Sequence, residues 1–167
     1  CIGKLENGTV IPVSSSVSGL SFSPSGRFLY VSATTLMLQF DTWATDIVAS
    51  VDTVGIYDGY YLNGSPIFQG SFGYAQLAPN GRIYFNSGSL DVYHVINQPD
   101  EEGVACDFQQ HGVKLPSLTI GIPNYPNYRL GALPGSACDT ITSIKDIAEK
   151  EKILKVFPNP ANDVATI

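Results

Sequence analysis

An internal repeat constrains this chain more than any other feature. Leu20-Ser21-Phe22-Ser23-Pro24-Ser25-Gly26-Arg27-Phe28-Leu29-Tyr30-Val31-Ser32 matches Ala75-Gln76-Leu77-Ala78-Pro79-Asn80-Gly81-Arg82-Ile83-Tyr84-Phe85-Asn86-Ser87 at a constant offset of 55 residues. Pro, Gly, Arg and the last Ser coincide, and the flanking positions stay apolar or aromatic. Self-similarity at a fixed spacing marks one structural unit used more than once. In each copy, Pro24-Ser25-Gly26 or Pro79-Asn80-Gly81 supplies the fixed φ and the permissive glycine of a tight reversal between β-forming runs, which predicts a hairpin.

A third strand is expected at Leu36–Phe40 and Leu90–Val95, and a fourth at Ile47–Val51 and near Val104–Phe108. Four antiparallel strands per unit make a β-propeller blade. The fold class is therefore read as all-β: a partial β-propeller over residues 1–138, with blade units near 19–52 and 73–115. Cys1–Val17, with short strands around Asn7-Gly8, reads as part of a third blade. Propellers close with about four to eight blades, so two blades and part of a third leave the ring open. The expectation is an internal piece of a longer protein, since the chain opens on Cys1 without Met and closes on the alternating run Val164-Ala165-Thr166-Ile167.

A blade needs only about 40 residues, so the repeat carries an excess between its units. Thr53–Phe72 contains it, with the turn dipeptides Asp58-Gly59 and Asn63-Gly64. Tyr57, Tyr60, Tyr61, Phe68 and Phe72 surround those turns and form the candidate ligand-contact surface. Aromatic rings with polar tips on a loop stack on sugars or anchor a protein partner. The competing structural role for the same five residues is to cover the gap between neighbouring blades.

Composition agrees with a turn-dense β protein: 44% hydrophobic and 14% charged residues, with 16 Gly, 11 Pro and 9 Tyr. A formal charge of -6 argues against a nucleic-acid surface, which needs clustered Lys and Arg. No apolar stretch of about 18 residues suggests a membrane span, and no signal peptide is visible. If the protein is exported, its signal lies upstream. Three cysteines without a CxxC pattern speak against a zinc site, and Cys106 with Cys138 is the disulfide pair expected. Lipidation of Cys1 is the lesser reading of the third.

The catalytic motifs are missing. No G-x-S-x-G elbow, phosphate-binding glycine loop or metal-ligand spacing occurs, so no catalytic residue, metal or cofactor is expected. His94 shares its strand parity with Leu90 and Val92 and reads as a partly buried structural histidine, while His111 reads as a loop residue. Asp41, Asp46, Asp52 and Asp58 read as turn caps rather than calcium ligands.

Residues 139–153 are charged and read as an interdomain linker, after which 154–167 begin a second unit. There, Val156-Phe157-Pro158-Asn159-Pro160-Ala161-Asn162 resembles the start of the C-terminal type IX secretion sorting domain of Bacteroidota cargo proteins. That resemblance implies the first strand of an immunoglobulin-like sandwich, recognition by the type IX secretion machinery, and a secreted or outer-membrane surface location. Phe22-Ser23-Pro24-Ser25-Gly26-Arg27-Phe28-Leu29-Tyr30 resembles the repeat of lactonase-like and WD40-like propellers of secreted bacterial proteins. The function expected is a non-enzymatic extracellular binding or scaffold protein for a protein or glycan ligand. The alternatives are a lactonase-like or glycan-cleaving enzyme with its site in blades not present here, and a polysaccharide-binding adhesin.

Overall fold

The computed structural model describes residues 8, 10–13, 15–62, 70–88 and 90–122 of the chain. All of them belong to one compact unit, Asn7–Asn127. The proposed linker at 139–153, the sorting-domain start at 154–167, Phe68 and Cys138 lie outside the described residues. Eight strands occur in chain order: β1 Gly19–Phe22, β2 Phe28–Ala33, β3 Leu36–Asp41, β4 Asp52–Ile56, β5 Ala75–Leu77, β6 Ile83–Asn86, β7 Leu90–Ile96 and β8 Phe108–Thr119. They form two four-stranded antiparallel sheets of order β1-β2-β3-β4 and β5-β6-β7-β8. The all-β expectation and the two four-stranded units therefore stand. No helix among the described residues is long and apolar enough to cross a membrane.

The hairpins close as the repeat predicts. Gly26 (φ 78°) and Gly81 (φ 81°) take the left-handed conformation that the turn demands and that a side chain disfavours. The repeat nonetheless slips by one residue. Ser23 N–H donates to Phe28 O at 2.8 Å in the first hairpin, whereas Ala78 N–H donates to Arg82 O at 2.9 Å in the second, although Ser23 and Ala78 hold the same place in the repeat.

Both fourth strands differ from expectation. Residues 47–51 do not form a strand: Asp46 accepts from Ala49 N–H at 3.0 Å, and the Ser50 hydroxyl donates to Ile47 O at 2.8 Å. These local bonds curl the segment into a turn, so β4 starts at Asp52. In the second unit, Gly103–Cys106 forms a 3-10 turn and β8 runs from Phe108 to Thr119.

The sheets pack face to face, with β1 beside β5 and β4 beside the 3-10 turn that precedes β8. Between them, Phe28, Tyr30 and Met37 of the first sheet meet Ile83, Phe85 and Ile96 of the second, with Phe72 and Cys106. Cys106 is a free thiol with no exposed surface, and its burial pushes its pKa up. Gly55 of β4 leaves room for the Phe108 ring, because an added Cβ would stand 2.3 Å from that ring. A second cluster of Val31, Ala33, Leu38 and Phe40 lies on the opposite face of the first sheet, partly covered by Ile11 and Val13.

A buried polar network crosses the layer between the sheets. The Gln39 amide donates to Tyr30 OH at 2.7 Å and to Glu101 O at 2.8 Å, and its oxygen accepts from Gly103 N–H at 2.8 Å. Tyr30 OH donates onward to Pro99 O at 2.9 Å. Burial holds the Tyr30 hydroxyl protonated by raising its pKa well above the ordinary value. Replacing Gln39 by Leu leaves Gly103 N–H buried without an acceptor, so Gln39→Leu is expected to lower stability by about 2–3 kcal/mol. Urea unfolding of the two proteins measures this; an unchanged midpoint would refute the network's role.

Candidate functional site

The connector between β4 and β5 is anchored at both ends to the β2–β3 turn. Tyr57 N–H donates to Thr35 O and Phe72 N–H to Thr34 O, each at 2.8 Å. Between these anchors Asp58 opens a turn by accepting from Tyr60 N–H at 3.1 Å, and Gly59 follows at φ 79°. Gln110 of β8 grips the same segment: its amide donates to Ile56 O at 2.8 Å and accepts from Asp58 N–H at 3.1 Å. The start of the connector is thus held by both sheets.

The five candidate aromatics divide into two groups. Phe72 is fully buried and sits edge-on to Tyr57 at 5.6 Å and to Phe108 at 5.3 Å. Tyr57 is half-buried, its hydroxyl donates to Tyr60 O, and burial raises its pKa to about 12. These two fill the space between the sheets, the structural role weighed against binding. Tyr60 and Tyr61 reach the surface, with Tyr61 37% exposed.

The structure adds residues that sequence reasoning had kept apart. His111 lies within β8 and not in a loop, with φ 57° at a bulge facing the Tyr93–Val95 stretch of β7. Its Nε2 lies 2.9 Å from an Asp58 carboxylate oxygen, and its ring lies 4.5 Å from that of Tyr60. Asp58, read as a turn cap, does that work and also holds His111. Behind them His94 is fully buried, deeper than the partial burial expected from its parity.

His94 illustrates how hydrogen bonds assign a tautomer. His111 backbone N–H donates to its Nδ1 at 3.2 Å, so a neutral ring carries its proton on Nε2 and donates it to Ser87 Oγ at 2.8 Å. That orientation is the reverse of the one in which histidine activates a serine nucleophile, where the imidazole accepts the hydroxyl proton. Burial, supplemented by the neighbouring His111, pushes the His94 pKa down to about 3. Among the described residues no group of three or more His, Cys, Asp or Glu is placed to hold a metal ion.

A second exposed aromatic lies at the other end of the strands. Trp43, in the β3–β4 loop, is 69% exposed, and its backbone N–H donates to Asp41 at 2.9 Å. Arg27 forms an ion pair with Asp41 at 2.7 Å and lies 6.0 Å from the indole ring. Asp41 and Asp46 cap turns, as their positions suggested.

His94 makes stability depend on pH in a defined direction. Its folded pKa lies below its ordinary 6.5, so protons bind the unfolded chain more readily. The contribution is complete above about pH 6.5 and is lost as pH falls towards 3. His94→Gln keeps a donor and an acceptor without titrating. The difference in stability between wild type and His94→Gln is expected to shift by a few kcal/mol in favour of the variant across that window. Denaturant unfolding at stepped pH measures it, and parallel curves would exclude a neutral buried His94.

Compared with family profiles, curated proteins and solved structures, the chain has no significant match.

Proposed function

We propose that this chain is part of an extracellular, non-enzymatic β-propeller whose connector surface around Tyr60 and Tyr61 binds a ligand. Two successive four-stranded meanders, stacked with β1 beside β5 and with β4 held to β8 through Gln110, support the propeller reading. The motif Val156–Asn162 supports export by the type IX secretion system, with the protein released or displayed at the outer surface.

The observation that carries the binding reading is the Asp58–His111–Tyr60 cluster, with Tyr61 exposed beside it. Aromatic faces stack on the apolar faces of sugar rings, while a carboxylate and an imidazole exchange hydrogen bonds with hydroxyls. The cluster is preformed, because its segment is bonded to both sheets before any ligand arrives, and preformed sites avoid an ordering cost on binding. The donor direction of His94 towards Ser87 favours binding over hydrolysis at this rim.

Affinity electrophoresis of the chain in soluble glycans, with sedimentation on insoluble chitin and cellulose, tests the site. Retention by at least one glycan is expected, weakened about five- to tenfold by Tyr60→Ala or Tyr61→Ala. Retention indifferent to both substitutions would remove the site, and ligand breakdown would favour the enzyme. Export is tested by replacing Phe157, Pro158 and Asn159 with Ala in the full-length protein, in a host with an active type IX system. The protein is expected to accumulate inside the cell, and unaltered release would reject the motif's role.

A further inference from the structure

Arg27, Asp41 and Trp43 meet where the β1–β2 turn faces the β3–β4 loop. Thr42 joins the two segments: its backbone N–H donates to Arg27 O at 2.8 Å, and its hydroxyl lies 2.8 Å from the same carbonyl and 3.0 Å from Gly26 O. Asp41 then gives its two carboxylate oxygens different partners. Oδ1 accepts from Trp43 N–H at 2.9 Å, and Oδ2 accepts from Arg27 Nε at 3.1 Å and Nη2 at 2.7 Å. One side chain thus fixes both the backbone that carries the indole and the guanidinium beside it.

The guanidinium carbon lies 4.6 Å from the centre of the Phe28 ring and 6.0 Å from that of the indole. Its five N–H donors exceed the two hydrogen bonds that Asp41 accepts. Glu102, with its side chain 75% exposed, places a carboxylate oxygen 3.8 Å from Arg27 Nη2. An apolar ring, a donor and an acceptor therefore stand together at the surface.

Packing does not account for the ring. Tryptophan is on average a well-buried residue, so the 69% exposure of Trp43 withholds most of what its area could contribute to a core. The second unit also folds without the arrangement. Arg82 holds the place of Arg27 in the repeat and is exposed, and residues 97–107, which follow β7 as 42–51 follow β3, include no aromatic.

We propose that Trp43, Arg27 and Glu102 form a glycan site of their own, at the end of the first sheet opposite Tyr60, for a neutral pyranose chain. A pyranose presents C–H groups on one face, which stack on an indole, and hydroxyls at its edge, which accept from a guanidinium and donate to a carboxylate. Asp46, Asp100 and Glu102, all exposed, outnumber Arg27 on this rim and disfavour a polyanionic glycan. The bonds to Asp41 and Thr42 set the geometry before a ligand arrives, which lowers the ordering cost of binding. The site uses no residue of the connector surface, so it stands or falls separately from binding at Tyr60 and Tyr61.

Trp43 is the one tryptophan of the chain, so tryptophan emission of the full chain reads this site directly. Titration with cellohexaose, xylohexaose, mannohexaose and laminarihexaose tests the proposal, with oligogalacturonate as the anionic control. A saturable change in emission is expected with at least one neutral oligosaccharide and none with oligogalacturonate. Glu102→Ala is expected to raise the half-saturating concentration about fivefold while leaving the urea unfolding midpoint unchanged. Tyr60→Ala is expected to leave the emission titration as in wild type, so loss of the connector site and loss of this one are read apart. A flat response to every neutral oligosaccharide overturns the proposal. So does an equal response to oligogalacturonate, or a titration that Glu102→Ala leaves unmoved.

Discussion

The two sheets depend on one another through the amide of Gln39. A polar side chain in an apolar layer is tolerated only when its hydrogen bonds are made. Gln39 finds its partners in Tyr30 on its own sheet and in Glu101 and Gly103 on the loop leading into β8. Those bonds are short and directional, so they set the position of one sheet on the other more narrowly than apolar contact would. Around them, Phe28, Met37, Phe85 and Ile96 supply the non-directional attraction.

The same device recurs at the other margins of the interface. Ser32 Oγ donates to Gly73 O beside β1, and Gln110 joins β8 to the end of β4. Asp100 accepts from Ser25 N–H at 3.0 Å at the end where the first hairpin turns. Pinned on these sides, the sheets give the connector a fixed frame. The surface cluster of Asp58, Tyr60 and His111 follows from that frame and not from rigidity of the connector itself. Core packing and the proposed ligand surface therefore share one segment: Tyr57 and Phe72 fill the interlayer while Tyr60 and Tyr61 reach the surface.

His94 shows how position decides the chemistry of a residue. A histidine beside a serine invites a catalytic reading, yet a backbone donor on Nδ1 commits the remaining proton to Ser87. Phe72 stands 5.0 Å away and Phe108 6.2 Å away, which withholds the solvation an imidazolium needs. Its burial was legible in the parity it shares with Leu90 and Val92; its partners were not.

By itself the sequence determined what local chemistry dictates. The proline and glycine turns specified both hairpins, the runs that follow them marked β3 and β7, and the excess length of the repeat located the connector. Local bonding by Asp46 and Ser50 wound the expected strand at 47–51 into a turn, whereas the tertiary structure decided where β8 pairs along β7. It also decided the pairing of His111 with Asp58, which stand 53 residues apart in the chain. The one-residue slip belongs to the same class. Turns that share Pro, Gly and Arg close on Phe28 in one hairpin and on Arg82 in the other, which shifts the pairing of the second hairpin by one residue relative to the repeat. Contacts made at long separation depend on how whole sheets pack, and no short window of residues carries that information.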